Sequence, residues 1–262
     1  MSGHLRQKIL SMGKRSKRLN LRIAACLVAV LLSCLVLLYG HKPDAVALTL
    51  ERPSVNVDWD KVPARQQKKP KLVYAPNRLF GTVEFRSPIK NLTQWERILR
   101  LYGTRKSIDE DFIKAGRTTE KANWDKLKAR AGSLKRLDLL QEVNKFFNLW
   151  PYRSDLDVYG LIDYWATPEE FISKSGDCED YSIAKFFALV QLGFSPDEMR
   201  VVVLKDRIRN VDHAVLAVYL GEEVYILDNA SPMVLSHSKY GHYQPVLSVN
   251  FKYRWAHVPP SK

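Results

Sequence analysis

From about residue 79 to Gly193 the apolar residues of this 262-residue chain recur every three to four positions, and after it every two. That change of period decides what the chain can build: helices first, strands afterwards. Asn91 or Thr93 can cap a helix with Trp95, Ile98, Leu99 and Tyr102 on one face, closed by Gly103. The polar stretch from Thr104 to Arg130 reads as helical only in part. Ser133 opens an amphipathic segment through Leu134, Leu137, Leu140, Val143, Phe146 and Phe147, and Pro151, Asp155 and Asp157 mark a loop after it. Thr167 caps a short helix with Pro168 at its first position, and Cys178 to Leu192 is a strong helix ended by Gly193. Beyond it, Arg200–Lys205 is β-branched, Val211–Leu220 and Glu223–Asp228 flank the turn Gly221-Glu222, and Val246–Phe251 is a further strand. The expected fold class is α+β, in one domain over 79–262.

Ahead of that domain the chain has a different character. Residues 1–22 carry seven cations and no acid, and residues 23–40 hold an uncharged apolar run from Ile23 to Tyr39. Such a run just spans a hydrocarbon core roughly 30 Å thick. Its basic flank is expected to stay in the cytoplasm, so that everything after Gly40 is exported. Two readings stay open: an uncleaved transmembrane anchor, or a signal peptide cut near Ala45-Val46-Ala47. Residues 41–78, broken by Pro43, Pro53, Pro63, Pro70 and Pro76, read as a stalk or linker.

The net charge of +13 follows this division. Residues 1–22 contribute +7 and residues 61–78 +6, residues 23–60 contribute −2, and the remaining domain is only +2. Nucleic acid is therefore not an expected partner, because the excess charge lies in the topogenic and stalk segments. A composition with 46% hydrophobic residues excludes a mostly disordered chain, and three cysteines exclude a disulfide scaffold.

Cys26 and Cys34 lie in the apolar run, which leaves Cys178 as the one cysteine of the domain. An unpaired thiol in an oxidising compartment invites a reactive role. Gly176-Asp177-Cys178 also places it in the first turn of a helix, where the dipole favours thiolate. A buried structural cysteine is the other reading at this point. The hairpin discriminates: with Gly221-Glu222 as its turn, Val215 opposes Asp228 and His213 opposes Ala230. His213 and Asp228 then share a face as diagonal neighbours, about 7–8 Å apart at the backbone, within reach of two converging side chains. One imidazole nitrogen can meet the carboxylate and the other a thiol docked from the helix, the nucleophile, base and orienter of a cysteine hydrolase.

The acids Asp177, Glu179 and Asp180 oppose that chemistry, since anions beside a thiol raise its pKa. A hard cation such as calcium would neutralise them, although first-turn acids also occur simply to complement a helix dipole. His237 and His242 in a polar loop and His257 near the tail have no carboxylate at a defined register. A zinc set is lacking, and so is a phosphate-cradling glycine loop.

The blocks Asp163-Tyr164-Trp165-Ala166-Thr167-Pro168-Glu169-Glu170-Phe171, Gly176-Asp177-Cys178-Glu179-Asp180-Tyr181, His213-Ala214-Val215-Leu216 and Ile226-Leu227-Asp228-Asn229 closely resemble the bacterial transglutaminase-like cysteine proteinases, the LapG family. The resemblance runs from about Leu79 to His257. It implies a papain-like, transglutaminase-type fold and a periplasmic, calcium-dependent endopeptidase, with Cys178 as nucleophile, His213 as base, Asp228 as orienter, and Asp177 and Glu179 as calcium ligands. It further implies a large surface adhesin as substrate, cut near its N-terminus, and control by an inner-membrane cyclic di-GMP receptor of LapD type. The Cys178 backbone N–H would hold the oxyanion; Trp165 is a candidate second donor, although the favoured reading of it is a packing aromatic. The basic N-terminus, apolar run and stalk depart from the family pattern and suggest anchorage in the inner membrane. Two other functions remain open: acyl transfer to an amine, and a non-catalytic calcium-binding or receptor-docking module.

Overall fold

A computed structural model describes residues 78–102 and 107–260. The expected basic segment, apolar run and stalk up to residue 77 lie outside the described residues. Among the described residues no helix is long and apolar enough to cross a membrane.

Helices do precede the main strands. They are α1 (Thr93–Tyr102), α2 (Ile108–Lys114), α3 (Thr118–Ala131), α4 (Arg136–Phe147), α5 (Asp155–Tyr159), α6 (Pro168–Lys174) and α7 (Cys178–Gln191). Their ends follow local chemistry. Ser107 and Ser154 cap α2 and α5 through their hydroxyls, Thr167 and Glu170 form a reciprocal capping box on α6, and Gly193 with φ +93° turns the chain out of α7. The segment expected as a loop at Asp155–Asp157 is the one-turn helix α5, stopped by Gly160 in the left-handed region.

The strands are β1 (Val83–Pro88), β2 (Met199–Asp206), β3 (Val211–Leu220), β4 (Glu223–Leu227), β5 (Leu235–Ser236), β6 (Tyr243–Val249) and β7 (Tyr253–Val258). They form one antiparallel sheet in the order β1-β7-β6-β2-β3-β4-β5. Pro245 of β6 sits where its pairing with β2 shifts register between Val203 and Leu204, a position that tolerates the missing N–H. The β3–β4 hairpin has the expected register, Leu216 opposite Leu227 through Leu220 opposite Glu223, with Gly221 at φ +66° in the turn.

Strand alternation sends side chains into two cores. Met199, Val201, Leu216 and Val218 meet the helices, where Trp95, Phe112, Trp124, Phe147, Phe171 and Phe186 are fully buried. Burying each large side chain is worth about 2 kcal/mol or more. Val202, Leu204, Val215, Ala217, Val224 and Ile226 point the other way, into a smaller cluster with Leu79, Tyr240 and Tyr243. Helix α7 lies on the first face against β2 and β3, which brings its N-terminus to the beginning of β3.

Candidate active site

Cys178 is the first residue of α7 and is partly exposed. Its position is fixed from behind by Asp180, whose side chain is wholly buried. Asp180 Oδ2 accepts from the Asp177 N–H at 3.2 Å, and Oδ1 accepts from the Ala166 N–H at 2.6 Å. One carboxylate thus joins the Gly-Asp-Cys block to the Trp-Ala-Thr-Pro block. The close approach requires glycine at 176, since a Cβ there would lie 2.0 Å from Asp180 Oδ2. A parallel bridge from Tyr152 to Gly176, with the Arg153 N–H donating to the Gly176 carbonyl at 2.9 Å, draws the start of α5 to the same place.

The thiol does not point at an imidazole. It donates to Glu179 Oε2 at 3.1 Å, while the Ala214 backbone N–H is directed at the sulfur. That N–H is reachable because the β3–β4 ladder stops at Leu216 and Leu227. Burial first, then the charges of Glu179 and Asp177, push the Cys178 thiol well above its ordinary pKa. A helix N-terminus alone does not offset this local negative field.

His213 and Asp228 meet as the hairpin register requires: Nε2 lies 2.9 Å from Oδ1. Both are buried, at 6% and 1% exposure, so the contact is screened little by water. Asp228 Oδ1 also accepts from the Ala230 N–H at 2.8 Å, and Oδ2 from the Tyr243 hydroxyl at 2.6 Å. Burial opposes ionisation of Asp228, but His213, Tyr243 and Ala230 together hold its carboxyl below the usual range. An ionised Asp228 makes Nε2 the donor and leaves Nδ1 an acceptor, the tautomer suited to take a proton from a thiol.

The carboxylates form a larger cluster than the sequence trio. Donor atoms of Asp155, Asp177 and Asp180 lie within 4.8 Å of one another, as do those of Asp155, Asp163 and Glu179. Asp155 Oδ2 accepts from the Tyr164 N–H at 2.6 Å, but its Oδ1 and the Asp177 Oδ1 are buried without a partner among the described residues. Burial pushes Asp155 up to about 6 and also raises Asp177 and Asp180, each with neighbouring anions adding to it. Two orphaned carboxylate oxygens in an all-oxygen cluster fit a hard divalent cation, with Asp177, Glu179, Asp155, Asp163 and Asp180 as the available donors. Sequence reading missed Asp155 and Asp163 as members; a loop reading of residues 151–163 hid the α5 turn that carries Asp155 back to Asp177.

Trp165 is buried and packs edge-on against Trp95 at 6.3 Å between ring centroids, and Arg97 donates to its carbonyl at 3.0 Å. Its packing role is clear from these contacts. Among the described residues, His237 and His257 are engaged elsewhere, and His242 packs against Tyr243. His257 is sandwiched between Thr82 and Ser248, and His237 Nδ1 accepts from the Phe80 N–H at 3.1 Å.

The family described as "Bacterial transglutaminase-like cysteine proteinase BTLCP" matches residues 111–261. Among solved structures, LapG of Legionella pneumophila is 30% identical, covering 62% of this chain and 84% of that one, with a TM-score of 0.48. Its calcium-bound form is 30% identical over 62% and 86% at 0.48, and its EGTA-treated form 29% identical over 67% and 90% at 0.49. Comparison with the curated proteins gave no match. With more than half of its length matched, the chain belongs to the bacterial transglutaminase-like cysteine proteinases.

Proposed function

We propose that this cysteine proteinase is a periplasmic, calcium-dependent endopeptidase in which Cys178 is the nucleophile, His213 the general base and Asp228 its orienter. The substrate is a large surface adhesin cut near its N-terminus, under the control of a cyclic di-GMP receptor of LapD type. Residues 23–40 tether the enzyme to the inner membrane. The observation that carries the reading is the buried contact from His213 Nε2 to Asp228 Oδ1 at 2.9 Å, beside a strand whose next residue, Ala214, directs its N–H at the Cys178 sulfur.

The steps follow from that arrangement. His213 Nδ1 takes the thiol proton, and the sulfur attacks the peptide carbonyl. The Cys178 N–H at the start of α7 faces the developing oxyanion, with Trp165 as a candidate second donor. His213 then protonates the leaving amine, and a water molecule deprotonated by the same imidazole clears the thioester. Asp228 stays ionised and keeps the ring in the donating tautomer at Nε2.

Calcium, the ion in the calcium-bound Legionella LapG, would be held by Asp177 and Glu179, with Asp155, Asp163 and Asp180 completing the donor set. Bound there, it would neutralise the acids that hold the thiol in its protonated form. The reading is tested in cells carrying Cys178→Ala: the adhesin stays on the surface of the variant and is shed from the wild type. Equal shedding from both would overturn it.

A further inference from the structure

The imidazole and carboxylate are backed by a side chain that the three-residue mechanism does not use. Tyr243 is the first residue of β6, two strands away from β3 in the sheet, where it pairs with Asp206 at the end of β2. It belongs to the smaller core, on the face of the sheet opposite α7. From there its hydroxyl donates to Asp228 Oδ2 at 2.6 Å, and its ring stands edge-on to His213 with centroids 5.8 Å apart. The ring itself is held by stacking on Tyr240 at 5.0 Å and by His242 at 4.4 Å.

Resting on the triad reading above, we propose that Tyr243 is a positioning residue of the reaction: its hydroxyl fixes the Asp228 carboxylate so that Oδ1 alone is presented to His213. Asp228 cannot be set by its own strand, because β4 ends at Leu227 and the carboxylate follows in the loop. The Ala230 N–H and the imidazole both engage Oδ1, so without Tyr243 nothing described holds Oδ2. A buried carboxylate oxygen left without a donor turns to find one. Rotation about the terminal bond would exchange the two oxygens or pull Oδ1 away from Nε2, and the imidazole would lose both its tautomer and its orientation.

Tyr240 supplies the control. It lies in the same aromatic stack and is buried, but its hydroxyl has no partner among the described residues. Removing that oxygen changes the packing as little as removing the one on Tyr243, without touching Asp228.

The experiment uses the full chain with calcium present and iodoacetamide as probe, following alkylation at Cys178 by peptide-resolved mass spectrometry. Tyr243→Phe is expected to slow alkylation about tenfold, and Tyr240→Phe to leave it at the wild-type rate. Asp228→Asn is expected to slow it at least as much as Tyr243→Phe, and the double variant no further, because the tyrosine acts only through the carboxylate. In ¹⁵N-histidine-labelled protein the downfield His213 Nε2–H resonance broadens or vanishes in Tyr243→Phe and persists in Tyr240→Phe. A wild-type rate and resonance in Tyr243→Phe overturns the proposal, as does a double variant whose losses multiply. Failure of the underlying reading is distinct: His213→Ala would then alkylate at the wild-type rate.

Discussion

Gly176 shows how one residue type can be required by a neighbour's side chain. Asp180 is pinned at both oxygens, to Ala166 and to Asp177, so it cannot move from a Cβ placed 2.0 Å away. Gly176→Ala is therefore expected to lower stability by roughly 3 kcal/mol, measured by chemical denaturation, and to abolish activity. His257 makes a second residue-scale prediction. The Thr82 hydroxyl donates to the Leu79 carbonyl, so His257 Nδ1–H must donate to Thr82 and Nε2 must accept from Ser248. Burial holds this neutral ring at a pKa of about 4. Above pH 6.5 the ring is neutral in both the folded and unfolded states and its contribution is complete. As the pH falls from about 6.5 toward 4, the unfolded chain takes up a proton that the folded one resists, and up to about 3 kcal/mol is lost. Denaturation curves across that window are expected to be flatter in His257→Gln than in the wild type.

At the scale of elements, the parts of the candidate site are joined through α4 and the Asn148 that follows it. Asn148 Nδ2 donates to the carbonyls of Asp228 and Ser231, and Asn144 Nδ2 to Ser231. The Asn144 Oδ1 accepts from Lys185, a fully buried ammonium on α7, at 2.8 Å. Helix α4 thereby links α7, which begins at Cys178, to the loop that carries Asp228. Burial lowers Lys185 to about 7, with Asp228 pulling the other way. Asn144→Leu, which strands that ammonium, is expected to cost roughly 3 kcal/mol in thermal or chemical unfolding, whereas Lys185→Met should stay within about 1 kcal/mol of wild type.

The β3–β4 register was legible because a two-residue turn fixes pairing locally, and it placed His213 beside Asp228. Strands β1 and β7 were not legible. They pair with each other across some 170 positions, β1 has no residue buried, so no alternation marks it, and β7 pairs locally only with β6. Helix α3 buries only Trp124 and Leu127, which left it indistinct as well. Tyr243 and Asp155 were hidden for a related reason, since each reaches the site only through long-range pairing.

The whole molecule separates its charge by function. The surplus cations lie in residues 1–22 and 61–78, while the candidate site is a cluster of acids on a nearly neutral domain. A ligand that binds only the folded state stabilises it, so chelation of calcium is expected to lower the melting temperature of the full chain by several degrees and to slow iodoacetamide alkylation of Cys178. An unchanged melting curve and rate would show that calcium neither stabilises the fold nor activates the thiol.

In the proposed function Cys178 cuts a surface protein. Mass spectrometry of the N-termini of secreted and surface proteins, compared between wild-type cells and cells carrying Cys178→Ala, tests this cleavage. A neo-N-terminus near the start of one large surface protein, present in the wild type and lost in the variant, is the predicted result; identical sets of termini in both would contradict it.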